Sequence, residues 1–436
     1  MRPIALIRAA ALGALAAVFV QNANAHYGVD CDVTVTGQNN PDVDAAAVSA
    51  AVNSPALTGD VTVCLAGTFD FGPAPAGPPS FSVAIVGNPS MTSLRIVGLN
   101  SGFRKPATIR RGIQALTLHG TTTLPSFSID NLKFEQPTFS AISILRSIER
   151  VRITDVHVAG VLTHTFTILS TPPPIPNPPP PVEITLKFRE GIAVTAAFAD
   201  IEGEIEISGN VVDGGTYSPG DSALLVGSGI VLVGALNLTQ ATNFFAKANV
   251  SNNRVLNWAG AGIIAAGGIS DATIEENWIE PGAFARLQPA CTGLNGDGSA
   301  SGIALGGVTN STVRDNVIQL VPAFTDTGAA AQCTAGLIVR GMTVGGASGN
   351  IFFGNRIRGT GTYAMIAGTP APTPPPPFPP ALPTIEANNL FAFNWVFGFT
   401  ATNATLFIGS GATANAFIGN FPSIEGNAAG NWVINR

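Results

Sequence analysis

Charge is scarce in this chain: 11% of its 436 residues are Asp, Glu, Lys or Arg, the formal net charge is −6, and Lys occurs four times. No basic cluster is present, so the electrostatic footprint that a nucleic acid requires is missing. Beyond the N-terminal segment, no apolar run reaches the roughly 20 residues of a bilayer-spanning helix without Gly, Pro or polar interruption. Helical periodicity is lacking over most of the length. The four Cys form no CxxC, and only His26 lies near any of them, so a zinc site is disfavoured and no metal or cofactor site is implied.

What is there begins with an export signal. Arg2 and Arg8 precede an apolar stretch, Ala9 to Val20, and Ala23-Asn24-Ala25 supplies a small-x-small cleavage site. Residues 1–25 are read as a signal peptide, which predicts a secreted, cell-surface or periplasmic protein with no transmembrane segment in the mature chain. In an exported chain the cysteines are expected as two local disulfides, Cys31 with Cys64 and Cys291 with Cys333.

The 49 Gly, many Asn and many β-branched residues fall into a repeat. A short β-run, an Asn and a second β-run recur around Asn277, Asn316, Asn355 and Asn394, each 39 residues from the next. Asn210, Asn253 and Asn431 look like weaker copies, and Asn131 and Asp155 like an earlier variant. A second run opened by Gly precedes each Asn, at Gly191, Gly229, Gly262, Gly302 and Gly336. Several short strands per repeat, with no helix between them, predict a coil wound round a central core. Stacked coils place equivalent strands about 4.8 Å apart. The Asn is expected to take the left-handed bend between two strands and to hydrogen-bond its equivalents above and below. Residues three before and two after it should face inward.

This pattern resembles the repeats of the pectin-lyase-like superfamily, over about residues 30 to 436. The resemblance implies an all-β, right-handed parallel β-helix. Asp42 to Asn53 looks like the short N-terminal capping helix of that group, followed by a strand from Asp60 to Asp70. The expected division is a cap with first strands at 26–75, then the β-helix at 76–436. Pro-rich insertions at 169–183 and 369–384 hold about half of the 33 prolines and cannot lie in the sheets. The first is read as a hairpin with a polyproline tip, a spacer or a docking arm.

The resemblance does not extend to activity. The NTD, DD and GHG motifs of polygalacturonase-like members are absent, and Arg356-Ile357-Arg358 only echoes RIK. The Asp cluster and WxDH-like stretch of pectate-lyase-like members are absent as well. Glu275, Glu276, Glu280 and Asp315 do not converge in a family arrangement. Asp155, His157 and His164 form the best acidic candidate, but Asp155 reads more simply as a turn acceptor. A different constellation carries the functional expectation. All four Trp follow an Asn, and alternation along the strands predicts an outward column of Arg254, Trp278, Val317, Arg356, Trp395 and Trp432. Indoles with interspersed guanidinia suit the faces and carboxylates of an acidic sugar chain. The expected function is binding, or processing, of an extended polysaccharide on the lateral face. A non-catalytic surface or matrix adhesion protein is the alternative, and whether the chain is an enzyme stays open.

Overall fold

The computed structural model describes residues 29–74, 80–100, 105–169, 183–196, 199–216, 226–234, 245, 247–258, 260–282, 301–321, 335–340, 346–359, 361, 363–368, 386–399, 406–408, 412–419, 424–426 and 431–434. The signal segment, the Pro-rich tips and the Cys291–Cys333 pair lie outside these residues.

The chain is a parallel β-helix. Each coil contributes two short strands to one long lateral sheet and a third to an opposing sheet. In three successive coils the lateral pairs are Thr273–Glu275 with Trp278–Glu280, Thr312–Arg314 with Val317–Leu320, and Ile351–Phe353 with Arg356–Gly359. The opposing sheet takes Ser301–Gly306, Ala335–Arg340 and Tyr363–Ala367 from these coils. Equivalent strands pair in parallel and in register, Ile274 beside Val313, Val313 beside Phe352, and Phe352 beside Phe391. Strands this short hold because each is sandwiched between equivalents and buries its inward residues in a continuous core. Ile274, Val313, Phe352 and Phe391, three before the ladder Asn, and Ile279, Ile318 and Ile357, two after it, are all buried. The rings of Phe352, Phe391 and Phe417 stack with centroids 4.4 and 4.9 Å apart.

The corner between the two lateral strands divides its work between two residues. The residue before the ladder Asn takes the left-handed conformation: Asn252 at φ 57°, Glu276 at 55°, Asp315 at 57°, Gly354 at 67° and Phe393 at 52°. The Asn itself turns inward and is buried. This corrects the expectation that the ladder Asn makes the bend. Asn210, Asn253, Asn277, Asn316, Asn355 and Asn394 form one chain in which each Nδ2 donates to the next Oδ1 at 2.8–3.0 Å. From Asn253 onward each Oδ1 also accepts the backbone N–H of the preceding Asn, as Asn316 Oδ1 does from Asn277 at 3.0 Å, and Asn210 Oδ1 accepts that of Val156. Asp155 and Asn131 are not in the ladder. Their neighbours Val156 and Leu132 fill that slot, while they occupy the left-handed corner at φ 52° and 53°. Both are short polar side chains that tolerate this conformation.

A second ladder lies five residues upstream. Ser311 N–H donates to Asn350 Oδ1, and Asn350, Asn389, Asn415 and Asn431 follow with amide contacts of 2.9–3.0 Å. Asn431 therefore belongs here, and not with Asn394. Asn350 and Asn389 also stand 39 apart, a signal the single-Asn repeat hides.

At the N-terminus, a helix α1 (Asp44–Val52) packs Val48, Ala51 and Val52 against the first coil. Buried Asp44 ties it down by accepting the N–H groups of Gln38, Asn40 and Asp70 at 2.8–2.9 Å. Cys31 and Cys64 are disulfide-bonded with Cα atoms 5.7 Å apart, joining strand Gly59–Asp70 to the segment before Val33–Gln38. Closure of a 33-residue separation is worth about 3 to 4 kcal/mol by chain entropy. Further on, His164–Leu169 pairs antiparallel with the first half of Glu183–Thr195, which then continues as a strand of the opposing sheet. No helix among the described residues is long and apolar enough to cross a membrane.

Candidate functional site

Because inward and outward residues alternate along a strand, the two lateral strands of each coil present their odd positions to solvent. The register places Arg254 beside Trp278, Trp278 beside Val317, Val317 beside Arg356, and Arg356 beside Trp395. Trp278 and Trp395 are thus three strand steps apart, about 14 Å. Trp432 does not continue this column. It pairs with Ala416, which follows Leu390 and Ile351 on the other lateral strand. The physical reason is its ladder: Asn431 stands at the start of the first lateral strand, not at the corner. Trp258, the fourth indole, is wholly buried and its Nε1 donates to the Val212 carbonyl at 3.1 Å.

Two residues outside the expected set complete the site. Arg358 and Phe397 lie two positions beyond Arg356 and Trp395, on the same outward face, and pair with each other. The period-two rule that gives Trp395 also reaches them, since both stand two residues further along the same strands. Trp278, Val317, Arg356, Arg358, Trp395 and Phe397 line an open groove of about 570 Å³. Trp395 is 59% exposed and its ring lies 6.3 Å from that of Phe397. Trp278 is half-buried, and the Arg358 guanidinium sits over its ring, 5.0 Å from the centroid. That indole face therefore holds a cation. Arg254 lies on the far side of Trp278 and does not line the groove.

The electrostatics set this groove apart from the rest of the face. Along much of the face guanidinia meet carboxylates: Arg95 meets Asp130 at 2.7 Å, Arg110 meets Glu135 at 3.1 Å, Arg150 and Arg152 share Glu206 at 2.8 and 3.3 Å, Arg111 meets Asp70, and Arg314 meets Glu275, while Arg254, outside the groove, has no ion pair among the described residues. Arg356 and Arg358 make no ion pair with any described residue, and no described carboxylate lines their groove. A second depression of about 480 Å³, at Asp70, Arg110, Arg111 and Glu135, is internally balanced. The Arg111 hydrogen bond holds the Asp70 carboxyl below the usual carboxylate range, and Lys133 followed by Arg110 does the same for Glu135.

Asp155, His157 and His164 occupy three different settings. Asp155 is at a left-handed corner, His157 is outward on a lateral strand beside Lys133, and His164 is buried at the hairpin base near Phe139. Among the described residues no group of three or more His, Cys, Asp or Glu could hold a metal ion.

No protein-family model matches the sequence, and no curated protein is similar to it. Among solved structures the chain is similar to a DFA-IIIase from Arthrobacter chlorophenolicus A6 in complex with GF2. The identity is 11% and the TM-score 0.38, with 86% of this chain and 88% of that chain covered. It is also similar to a mannuronic acid specific polysaccharide family 6 lyase from human gut microbiota. There the identity is 12% and the TM-score 0.34, with 92% of this chain and 86% of that chain covered.

Proposed function

We propose that this is an exported protein that binds an extended polysaccharide in the lateral groove between Trp278 and Trp395. The observation that carries the reading is the groove: an exposed indole and a phenyl ring at one end, guanidinia between, and a flat strand floor. Exposed aromatic rings offer a sugar ring apolar area at little entropic cost, and guanidinia fix its polar edge. The chain would lie along the coil axis, since the strand spacing of about 4.8 Å matches the advance of one sugar unit. Binding without cleavage is favoured because the described lining holds no carboxylate, whereas glycoside hydrolysis by the usual route needs two. The Cys31–Cys64 disulfide supports an oxidising compartment.

The test is calorimetric titration with neutral and acidic polysaccharides, alongside an assay for new reducing or unsaturated ends. Trp395→Ala is expected to weaken binding by about tenfold or more, as for a central aromatic anchor, with the melting temperature unchanged. Binding that survives this change intact rules the groove out.

The second reading is a non-catalytic surface or matrix adhesion protein. It is supported by apolar side chains near the groove, Ile351, Phe353, Phe393, Trp432 and Ile434, which are 40–71% exposed. Exposed apolar groups in such number mark association surfaces. Concentration-dependent assembly without glycan affinity would favour it.

A further inference from the structure

We infer that Arg356 and Arg358 form an oxyanion clamp that makes the groove selective for an acidic sugar unit, and that Trp278 is the residue that positions Arg358. The inference rests on the groove being a glycan site and adds which chemical class of glycan it takes.

Three observations carry it. First, Arg356 and Arg358 are alternate residues of one strand, both exposed and both lining the groove, so their side chains leave the same face of the strand from Cα atoms about 7 Å apart. Second, this pair has no carboxylate partner among the described residues on a face where Arg95, Arg110 and Arg314 each meet one and Arg150 and Arg152 share Glu206; Arg254, beyond Trp278, is a lone cation, whereas Arg356 and Arg358 stand together. Two neighbouring cations with no counter-charge repel each other, and an oxyanion placed between them removes that repulsion. Third, Arg358 does not stream freely into solvent. Its guanidinium crosses the Val317 strand and rests over the Trp278 ring, 5.0 Å from the centroid. The ring quadrupole holds the cation and limits its rotamers, while its N–H groups stay available at the edge. A guanidinium ordered in this way loses less entropy when it meets a ligand.

The geometry also assigns different roles to the two indoles. Trp395 is the open platform for a sugar face. Trp278, with its face covered, acts through Arg358 and is a positioning residue. The oxyanion next to the stacked sugar is a carboxylate of a uronic acid or a sulfate ester of a neutral sugar, since each offers two oxygens that one guanidinium fork can engage together.

The experiment measures binding of the full chain to polygalacturonate, to the same polymer fully methyl-esterified, and to a sulfated galactan. The native protein is expected to prefer an acidic polymer over the methyl ester by about tenfold, the scale of charge-assisted hydrogen bonds. Arg358→Gln should erase that preference, weakening binding of the acidic polymer about tenfold more than binding of the methyl ester, with the melting temperature unchanged. Trp278→Ala should erase it too, and Trp278→Phe, which keeps an aromatic face under the guanidinium, should restore most of it. Rescue by Phe separates positioning from mere packing. Preference for polygalacturonate assigns the oxyanion to a carboxylate, and preference for the sulfated galactan assigns it to a sulfate ester. Equal binding of all three polymers, lost only with Trp395→Ala, overturns the clamp and leaves the groove reading standing. No binding to any of them overturns both.

Discussion

A ladder amide such as Asn316 is saturated. Its Oδ1 accepts from Asn277 N and Nδ2 at 3.0 and 2.9 Å, and its Nδ2 donates to Asn355 Oδ1 and to the Ile274 and Arg314 carbonyls at 2.9–3.0 Å. Asn316→Ala therefore strands partners in two coils, and about 1 to 3 kcal/mol of stability should be lost by denaturant titration. Asn316→Asp should cost more at neutral pH, because a carboxylate would face Asn355 Oδ1 and the Ile274 carbonyl. A different buried residue sets the pH response. Glu190 shares the inward parity of Ile192 and Val194, and burial pushes its carboxyl up to about 8 from an ordinary 4.5. The folded state keeps a proton that the unfolded chain releases, so the Glu190 contribution to stability is full below pH 4.5 and falls until about pH 8. Glu190→Gln should flatten that fall, measured as melting temperature against pH, and should leave the variant more stable than the native chain at pH 8.

At the scale of the element, the Gly column explains how the opposing sheet meets the lateral one. A Cβ at Gly302 would stand 2.5 Å from Ile318 Cγ2 and 2.5 Å from the Gly336 carbonyl oxygen. Gly262 and Gly336 meet Ile279 and Ile357 in the same way. The missing side chain is the space into which the residue two beyond each ladder Asn packs. Gly302→Ala should cost about 1 to 3 kcal/mol through overpacking. Ile318→Ala alone empties a buried site, and the double variant should lose less than the sum of the two single losses, a coupling that a double-mutant cycle reads directly. The Gly-opened runs were visible in the sequence as strand starts, but their partners were not, since each Gly and its Ile are separated by a turn of the coil. Strand parity likewise predicted the Arg254–Trp395 column, and it failed at Trp432 because two ladders share one consensus, Asn followed by a β-run.

For the whole molecule, stability in a stacked coil is close to a sum of nearest-neighbour terms. Coils in the middle of the double ladder have partners on both sides. The last described strand, Trp432–Ile434, pairs only with Ala416–Ile418 and leaves Trp432 71% and Ile434 53% exposed. Hydrogen exchange should therefore be slowest for the backbone N–H groups of Asn277 and Asn316, which are bonded to the next ladder amide, and markedly faster for Trp432 to Ile434. Uniform protection along the chain would show that the helix opens as one cooperative unit.

The sequence by itself determined the architecture. A 39-residue period, a buried amide at a fixed turn and alternating apolar residues are local constraints repeated along the chain, and only stacked coils satisfy all of them together. The cap and the Cys31–Cys64 staple were legible for the same reason, being close in sequence. The tertiary structure alone decided which residue bends and which bonds at each corner, because both are compatible with an Asn and differ only in φ. It also decided what Trp278 does. Whether an outward indole meets a ligand or a guanidinium depends on a side chain 80 residues away, Arg358, reaching across an intervening strand. Linear spacing carries no record of that reach.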